Sequence, residues 1–261
     1  MNYDLCIIGG GISGLATAKF AKKANLNFIL LNKDGYLGGN WFNKSYTNLK
    51  LQTNRNDYEF PDFPYPKNVG LYPTYRDILS YLTQYAKYFK FWDQINNNCE
   101  VFKTKQLNSK AHDQHDDQDD QGDDQYDEDQ DNDQNDDHNI EYYGWQVSYV
   151  DKTSTVPSYQ TITAKYKCFA TGYYHTRKYP DIPMVSSSQV PIPQGQQNRP
   201  LYIHSNDFNK YPLSTFKNKR VIVIGNGSTG SDLACLMTKY NPNVVLLYRT
   251  PKWVIKRYLH I

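Results

Sequence analysis

The chain has 261 residues, with 39% hydrophobic and 15% aromatic residues, enough to bury a sizeable core in one large or two smaller domains. No apolar run approaches the roughly 20 residues of a membrane span, and Leu5 to Ile8 runs into glycines rather than a cleavage site; a cytoplasmic protein is expected. The net charge of +2 conceals a division, because thirteen Asp and one Glu fall between His112 and Asn139, leaving 13 acids against 29 Lys and Arg, a formal charge of about +16, on the rest.

In chain order, Tyr3 to Ile8 predicts a short buried strand, Ser13 to Ala24 a helix and Asn27 to Leu31 a second strand. Thr74 to Phe89 has the apolar spacing of an amphipathic helix. Glu100 to Lys103 and Trp145 to Val150 read as strands flanking the acidic, low-complexity insert (108–140). That insert has too few apolar residues to offset its ordering entropy, so it is expected to be a disordered, solvated loop between two strands. His112, His115 and His138 among its carboxylates are no more than weak metal candidates, and no metal site is expected. Tyr166 to Ala170 predicts a strand ending at Thr171-Gly172, and Arg220 to Ile224, Ser228 to Tyr240 and Val244 to Tyr248 repeat strand, helix, strand. Cys6, Cys99, Cys168 and Cys235 form no C-x-x-C pair, which argues against a disulfide framework, a zinc site or a dithiol centre; each is read as a buried small hydrophobe.

Two glycine loops carry the chemistry. Gly9-Gly10-Gly11-Ile12-Ser13-Gly14 is a G-x-G-x-x-G between the first strand and an Ala-rich helix (Ala16, Ala18, Ala21). The first glycine permits the tight turn, the second lets the backbone approach a pyrophosphate, and the third lets helix and strand pack closely. Gly225-Asn226-Gly227-Ser228-Thr229-Gly230 repeats the motif in the same context, so two dinucleotides are expected. The ribose-reading position lies near the end of each second strand: Asn32, 23 residues after Gly9, and Arg249, 24 residues after Gly225. Arg249, with Lys252 and Lys256 nearby, puts a cation where an NAD site has a carboxylate and suits the 2′-phosphate of NADP. Asn32 departs from the usual acid. An amide accepts from one ribose hydroxyl and donates to the other, at a loss of about 1 kcal/mol.

These residues and others resemble the flavin-containing monooxygenases. Gly38-Gly39-Asn40-Trp41 is similar to that family's G-G-x-W. Leu51-Gln52-Thr53 and the run from Tyr58 to Pro64 resemble the plant-type branch, as do Tyr72-Pro73, Tyr81-Leu82 and Tyr85-Ala86. Phe169-Ala170-Thr171-Gly172 resembles the A-T-G strand end, and Tyr248 to Trp253 the R-T-x-x-W. Of the fingerprint F-x-G-x-x-x-H-S only His204-Ser205 stand in place, with Asn198 and Pro200 at the Phe and Gly positions.

The resemblance implies an α/β fold: a Rossmann-type FAD-binding domain (1–180), then the start of a second Rossmann-type, NADP-binding domain (181–261). FAD would lie on Gly9, Gly11, Ser13, Gly14, Asn32, Gly38, Gly39, Trp41 and Gly172, and NADPH on Gly225, Gly227, Ser228, Gly230 and Arg249. It also implies oxygen transfer from O₂ to a small nucleophile, an amine nitrogen or a sulfur, through a C4a-hydroperoxyflavin. Asn54 stands where some members place an active-site asparagine, and His204 is a second candidate. Family members continue well beyond the position of Ile261, so the match is to their N-terminal portion. A truncated, inactive dinucleotide-binding protein and a Baeyer–Villiger-type oxygenase or other two-dinucleotide flavoenzyme are the alternatives. The basic body brings no nucleic-acid motif with it, so no such partner is expected; oligomeric state is left open.

Overall fold

The computed structural model describes residues 1–108, 142–174, 176–181 and 201–252, and every structural statement below concerns these. The acidic insert, Asn198, Pro200, Trp253 and Lys256 lie outside them.

A six-stranded sheet has the order β3-β2-β1-β6-β5-β4. Strands β1 (Tyr3–Ile8), β2 (Phe28–Leu31), β3 (Ile95–Asn96) and β6 (Ser158–Phe169) run parallel, whereas β4 (Cys99–Asn108) and β5 (Tyr142–Asp151) join antiparallel through β6. Strand alternation divides the core. Ile7 and Leu30 point to one face, packed with Leu15, Ala18 and Ala21 of α1 (Ile12–Lys23). Cys6, Ile8, Ile29 and Leu31 point to the other and pack with Val147 of β5 and Ala164 of β6. The small buried residues of α1 let the helix lie close on the sheet, which its weak amphipathicity alone would not ensure.

Helix α3 (Tyr75–Tyr88) follows the short α2 (Asn40–Asn43). It begins at a capping box: the Thr74 hydroxyl accepts from the Asp77 backbone N–H, and the Asp77 carboxylate accepts from that of Thr74. Its buried residues, Ile78, Tyr81, Leu82, Tyr85 and Ala86, recur at helical spacing on one face. They meet the aromatics of 58–65, with Tyr65 stacked on Tyr81 at 3.9 Å and Phe60 on Tyr85 at 4.0 Å. The buried Tyr81 hydroxyl serves two main-chain groups, accepting from Phe60 N–H at 2.7 Å and donating to the Phe63 carbonyl at 2.6 Å.

A second, two-stranded parallel sheet pairs β7 (Val221–Ile224) with β8 (Val244–Leu247). Helix α4 (Ser228–Thr238) covers one face through Leu233, Leu236 and Met237, packed with Val221, Val244, Phe208 and Tyr46. Ile222, Ile224, Val245 and Leu247 on the opposite face are each at least half exposed. The two parts are tied where the Tyr46 hydroxyl donates to Asp232 (3.0 Å), Thr47 N–H to the Asn209 side-chain oxygen (3.0 Å) and the Asn209 amide to the Ser45 carbonyl (2.8 Å).

The predicted elements are present with ends shifted by a residue or two, except three strands. Glu100–Lys103 lies in the amino half of the longer β4, Trp145–Val150 within the longer β5, and Tyr166–Phe169 is the carboxyl end of the longer β6, with Ala170 just past it. The added segments are mostly polar, so hydrophobic patterning did not mark them, although Gly144 of β5 and Ala164 of β6 are buried; the antiparallel ladder carries them. The β4–β5 pairing places the insert between two hairpin strands, as expected. One reading is corrected: Cys6 and Cys99 are buried, but Cys235 on α4 is exposed, because it lies off the face formed by Leu233, Leu236 and Met237. No helix among the described residues is long and apolar enough to cross a membrane.

Tyr81→Phe leaves the Phe60 N–H and Phe63 carbonyl without their partner in a buried setting. A loss of about 1–3 kcal/mol is expected, read from urea or guanidinium unfolding against the wild-type chain.

Candidate dinucleotide site

The loops after β1, β2 and β6 meet at the carboxyl edge of the parallel strands. Strand β1 has β2 on one side and β6 on the other, so its end is the point where strand order reverses, the place where α/β sheets bind ligands. Gly9 makes the turn at φ +117°, and a Cβ on it would stand 2.3 Å from the Ala170 carbonyl oxygen. Ala170 N–H donates to the Ile8 carbonyl, which brings Thr171-Gly172 beside the loop. A Cβ on Gly14 would stand 1.9 Å from the Gly9 carbonyl oxygen, so α1 reaches β1 only through a residue without one. Ser13 lies in the first turn of α1, where backbone N–H groups have no intrahelical acceptor.

The same geometry recurs in the second loop. A Cβ on Gly230 would stand 1.9 Å from the Gly225 carbonyl oxygen, and Gly225 N–H donates to the Leu247 carbonyl at 2.8 Å. Gly227 precedes α4 with open space around it, and Ser228 opens that helix. Arg249 lies two residues past β8, exposed, with no ion pair among the described residues; Lys252 is exposed too.

Gly38 and Gly39 close over the first loop. Gly38 N–H donates to the Gly10 carbonyl at 2.8 Å, and a Cβ on Gly39 would come within 3.2 Å of the Gly11 Cα. Trp41 is held in edge contact with Tyr58, its indole N–H donating to the Tyr58 hydroxyl at 2.6 Å. Burial raises the Tyr58 pKa, an effect the Trp41 hydrogen bond opposes. Burial first, then the charges of Lys33 and Arg177, hold Lys44 below the usual lysine value. A basic cluster thus stands beside the loop that carries Trp41.

Asn32 is 2% exposed and lies against the first loop, since a Cβ on Gly10 would stand 2.6 Å from its Cγ. Its Nδ2 donates to the Asp34 carbonyl (3.1 Å), the Tyr36 carbonyl (3.0 Å) and Asn97 Oδ1 (2.7 Å). The expectation that this amide both accepts from and donates to a ribose is therefore corrected: its donor is committed within the protein. Asn54 caps the turn Arg55–Tyr58, its side-chain oxygen accepting from Asn56 N–H (2.8 Å) and Asp57 N–H (3.3 Å). His204 does likewise for 205–210, its Nδ1 accepting from Asn206 N–H at 3.2 Å while the ring meets Tyr179 edge-on. Both candidates for chemistry hold local turns. Sequence reasoning missed Gly10, Asn97 and Tyr58. Gly10 occupies an unspecified position of the motif, and the other two are brought in from 65 and 17 residues away by folding.

A cavity of about 800 Å³ lined by Tyr3, Asp4, Trp145 and Lys165 lies elsewhere, at the amino end of β1. It is on the wrong edge of the parallel strands for a dinucleotide.

Residues 3–259 match the family model described as pyridine nucleotide-disulphide oxidoreductase. The chain belongs to that family. Its relatives include the probable flavin-containing monooxygenase 1 of Arabidopsis thaliana, 43% identical over 96 residues, covering 34% of this chain and 18% of that protein. The putative flavin-containing monooxygenase 2 of the same plant is 27% identical, covering 98% and 54%. The resemblance to flavin-containing monooxygenases is thus borne out, for their N-terminal portion. The solved S-allyl-L-cysteine S-oxygenase of Allium sativum shares the fold, with a TM-score of 0.68 at 16% identity, over 97% of this chain and 53% of that one. The chain spans about half the length of the curated relatives it matches along most of its length. Burial pushes the thiols of Cys6 and Cys99 up, to about 12 and 11.

Gly14→Ala and Gly230→Ala each force a methyl into a main-chain carbonyl and are expected to cost about 1–3 kcal/mol. Gly227→Ala, with open space and an extended backbone, is expected to stay within about 0.5 kcal/mol of wild type. Thermal unfolding of the three variants checks both.

Proposed function

We propose that the chain is the dinucleotide-binding part of an FAD- and NADPH-dependent flavin monooxygenase. Residues 1–180 form its FAD-binding domain and 181–261 part of its NADP-binding domain. The observation that carries this reading is the recurrence of one loop geometry with different residues at the ribose end. In both loops the third glycine sits against the first glycine's carbonyl, with the helix start facing the space where a pyrophosphate is bound. The first ends at a buried, neutral Asn32 and the second at an exposed, cationic Arg249. A neutral amide suits an unphosphorylated adenosine, as in FAD, and an arginine suits the 2′-phosphate of NADPH.

Gly9, Gly11, Ser13 and Gly14 would hold the FAD pyrophosphate, Gly38, Gly39 and Trp41 the nucleotide beyond it, and Gly172 would flank it. Gly225, Gly227, Ser228, Gly230 and Arg249 would hold NADPH. Bound there, FAD would supply hydride acceptance from NADPH and activation of O₂ for transfer of one oxygen atom to an amine nitrogen or a sulfur. The chain's own contribution is to bind and orient the cofactors, with Tyr58 fixing the Trp41 ring and Lys33 and Lys44 adding positive charge nearby. The sulfur oxygenation for which the Allium enzyme is named favours a soft nucleophile. Asn54 would assist only through its amide NH₂, its oxygen being engaged in the cap.

Purified protein titrated with FAD is expected to bind it, with flavin fluorescence as the readout, and then to oxidise NADPH in air. A protein that takes up no FAD refutes the reading. Arg249→Ala is expected to weaken NADPH binding by roughly 10- to 100-fold while leaving NADH nearly unchanged. Equal losses for both nucleotides would remove the 2′-phosphate role.

A further inference from the structure

Position 32 stands at the ribose end of the first loop, and its surroundings are particular to an amide. Asn32 is almost wholly buried. Around Nδ2 stand three oxygens: the carbonyls of Asp34 and Tyr36, and Asn97 Oδ1. Three acceptors about one atom determine which end of the amide is nitrogen. The main chain keeps the first of them, and Asn32 itself, in place. Asp34 O also accepts from Asn98 N–H, Asn32 N–H donates to the Asn96 carbonyl, and Cys99 N–H donates to the Asn32 carbonyl. The other end of the amide, Oδ1, lies against the bare face of Gly10 and accepts from no group among the described residues.

We propose that this subsite is built for a neutral, one-armed reader of ribose. Asn32 Oδ1 accepts from a single hydroxyl of the adenosine, while Nδ2 locks the end of β2 to the turn before β4. The ribose half of the proposal rests on the FAD reading of the first loop; the lock does not.

The consequence runs against what a loop of this type ordinarily favours. A carboxylate at this position commonly binds the ribose hydroxyls. Here Asp would place a charged oxygen among three acceptors with no proton between them. Asn97 can turn its NH₂ toward it, but the two main-chain carbonyls cannot change what they offer. The isosteric acid is therefore the wrong residue at this site. Burial and the acceptor shell both disfavour its charged form, so its folded pKa rises above the unfolded value of about 3.9. The penalty is absent below the unfolded value, grows as pH rises from there toward the folded value, and is complete above it.

The test compares wild type, Asn32→Asp and Asn32→Leu at pH 8 and pH 5. Thermal unfolding is measured without ligand and FAD affinity by flavin fluorescence. At pH 8 Asn32→Asp is expected to melt roughly 5 °C lower than wild type and to bind FAD about tenfold more weakly. At pH 5 its protonated carboxyl donates again, and both differences from wild type shrink. Asn32→Leu, which has neither donor nor acceptor, is expected to melt lower at both pH values without that recovery. An Asn32→Asp chain as stable as wild type at pH 8 that binds FAD equally or more tightly overturns the proposal. A loss that does not shrink at pH 5 overturns it too, because the acceptor shell would not be its cause. If wild type itself binds no FAD, the FAD reading and the ribose half fall together, and the melting temperatures of the ligand-free variants alone decide the lock.

Discussion

The closest approach between helix and strand governs the candidate site. In each loop the third glycine faces the carbonyl of the first at a separation that leaves no room for a side chain. That contact draws the helix start onto the strand end, and the unbonded N–H groups of the first turn face the same space. Around the first loop the rest assembles by contact: Ala170 closes on Gly9, Gly38 and Gly39 close on Gly10 and Gly11, and Asn32 fills the side of Gly10. The phosphate-facing surface is therefore made chiefly of main chain, which cannot be tuned by side-chain substitution. Specificity is left to the residues at the ends of β2 and β8.

Those ends use charge differently. Asn32 is buried and neutral, its donor absorbed by the protein and its acceptor turned toward the loop. Arg249 is exposed, with no ion pair among the described residues. Lys44 and Lys33, with Arg177 paired to Asp207, stand near the first loop, and burial first, then the charges of Lys33 and Arg177, lowers the Lys44 pKa. The basic bias of the body, hidden by the acidic insert in the net charge, thus has a local expression at the edge where phosphates would lie.

Aromatic packing supports this edge from below. Helix α3, anchored at Thr74, presents Tyr81 and Tyr85 to Phe60, Phe63 and Tyr65, and Leu79 abuts Gly38. Tyr58 extends the cluster to Trp41 through a hydrogen bond. The loop that closes on the glycines is thus held by packed rings. The second sheet differs, for its outer face of Ile222, Ile224, Val245 and Leu247 has nothing over it among the described residues.

The sequence alone determined the two glycine loops, their flanking elements and the charge at Arg249, because those features depend on spacing along the chain and on residue type. It marked parts of β4, β5 and β6 but not the rest of each strand, whose mostly polar residues are held by pairing in the antiparallel ladder. The tertiary structure decided what the singled-out polar residues do. Asn54 and His204 carry donor and acceptor groups suited to chemistry, and the fold uses both as caps. Asn32 was legible as a departure from an acid, but its meaning depends on Asn97 and the carbonyls of Asp34 and Tyr36. Only the folded chain brings those acceptors around its nitrogen, and a buried amide is read by the partners that surround it.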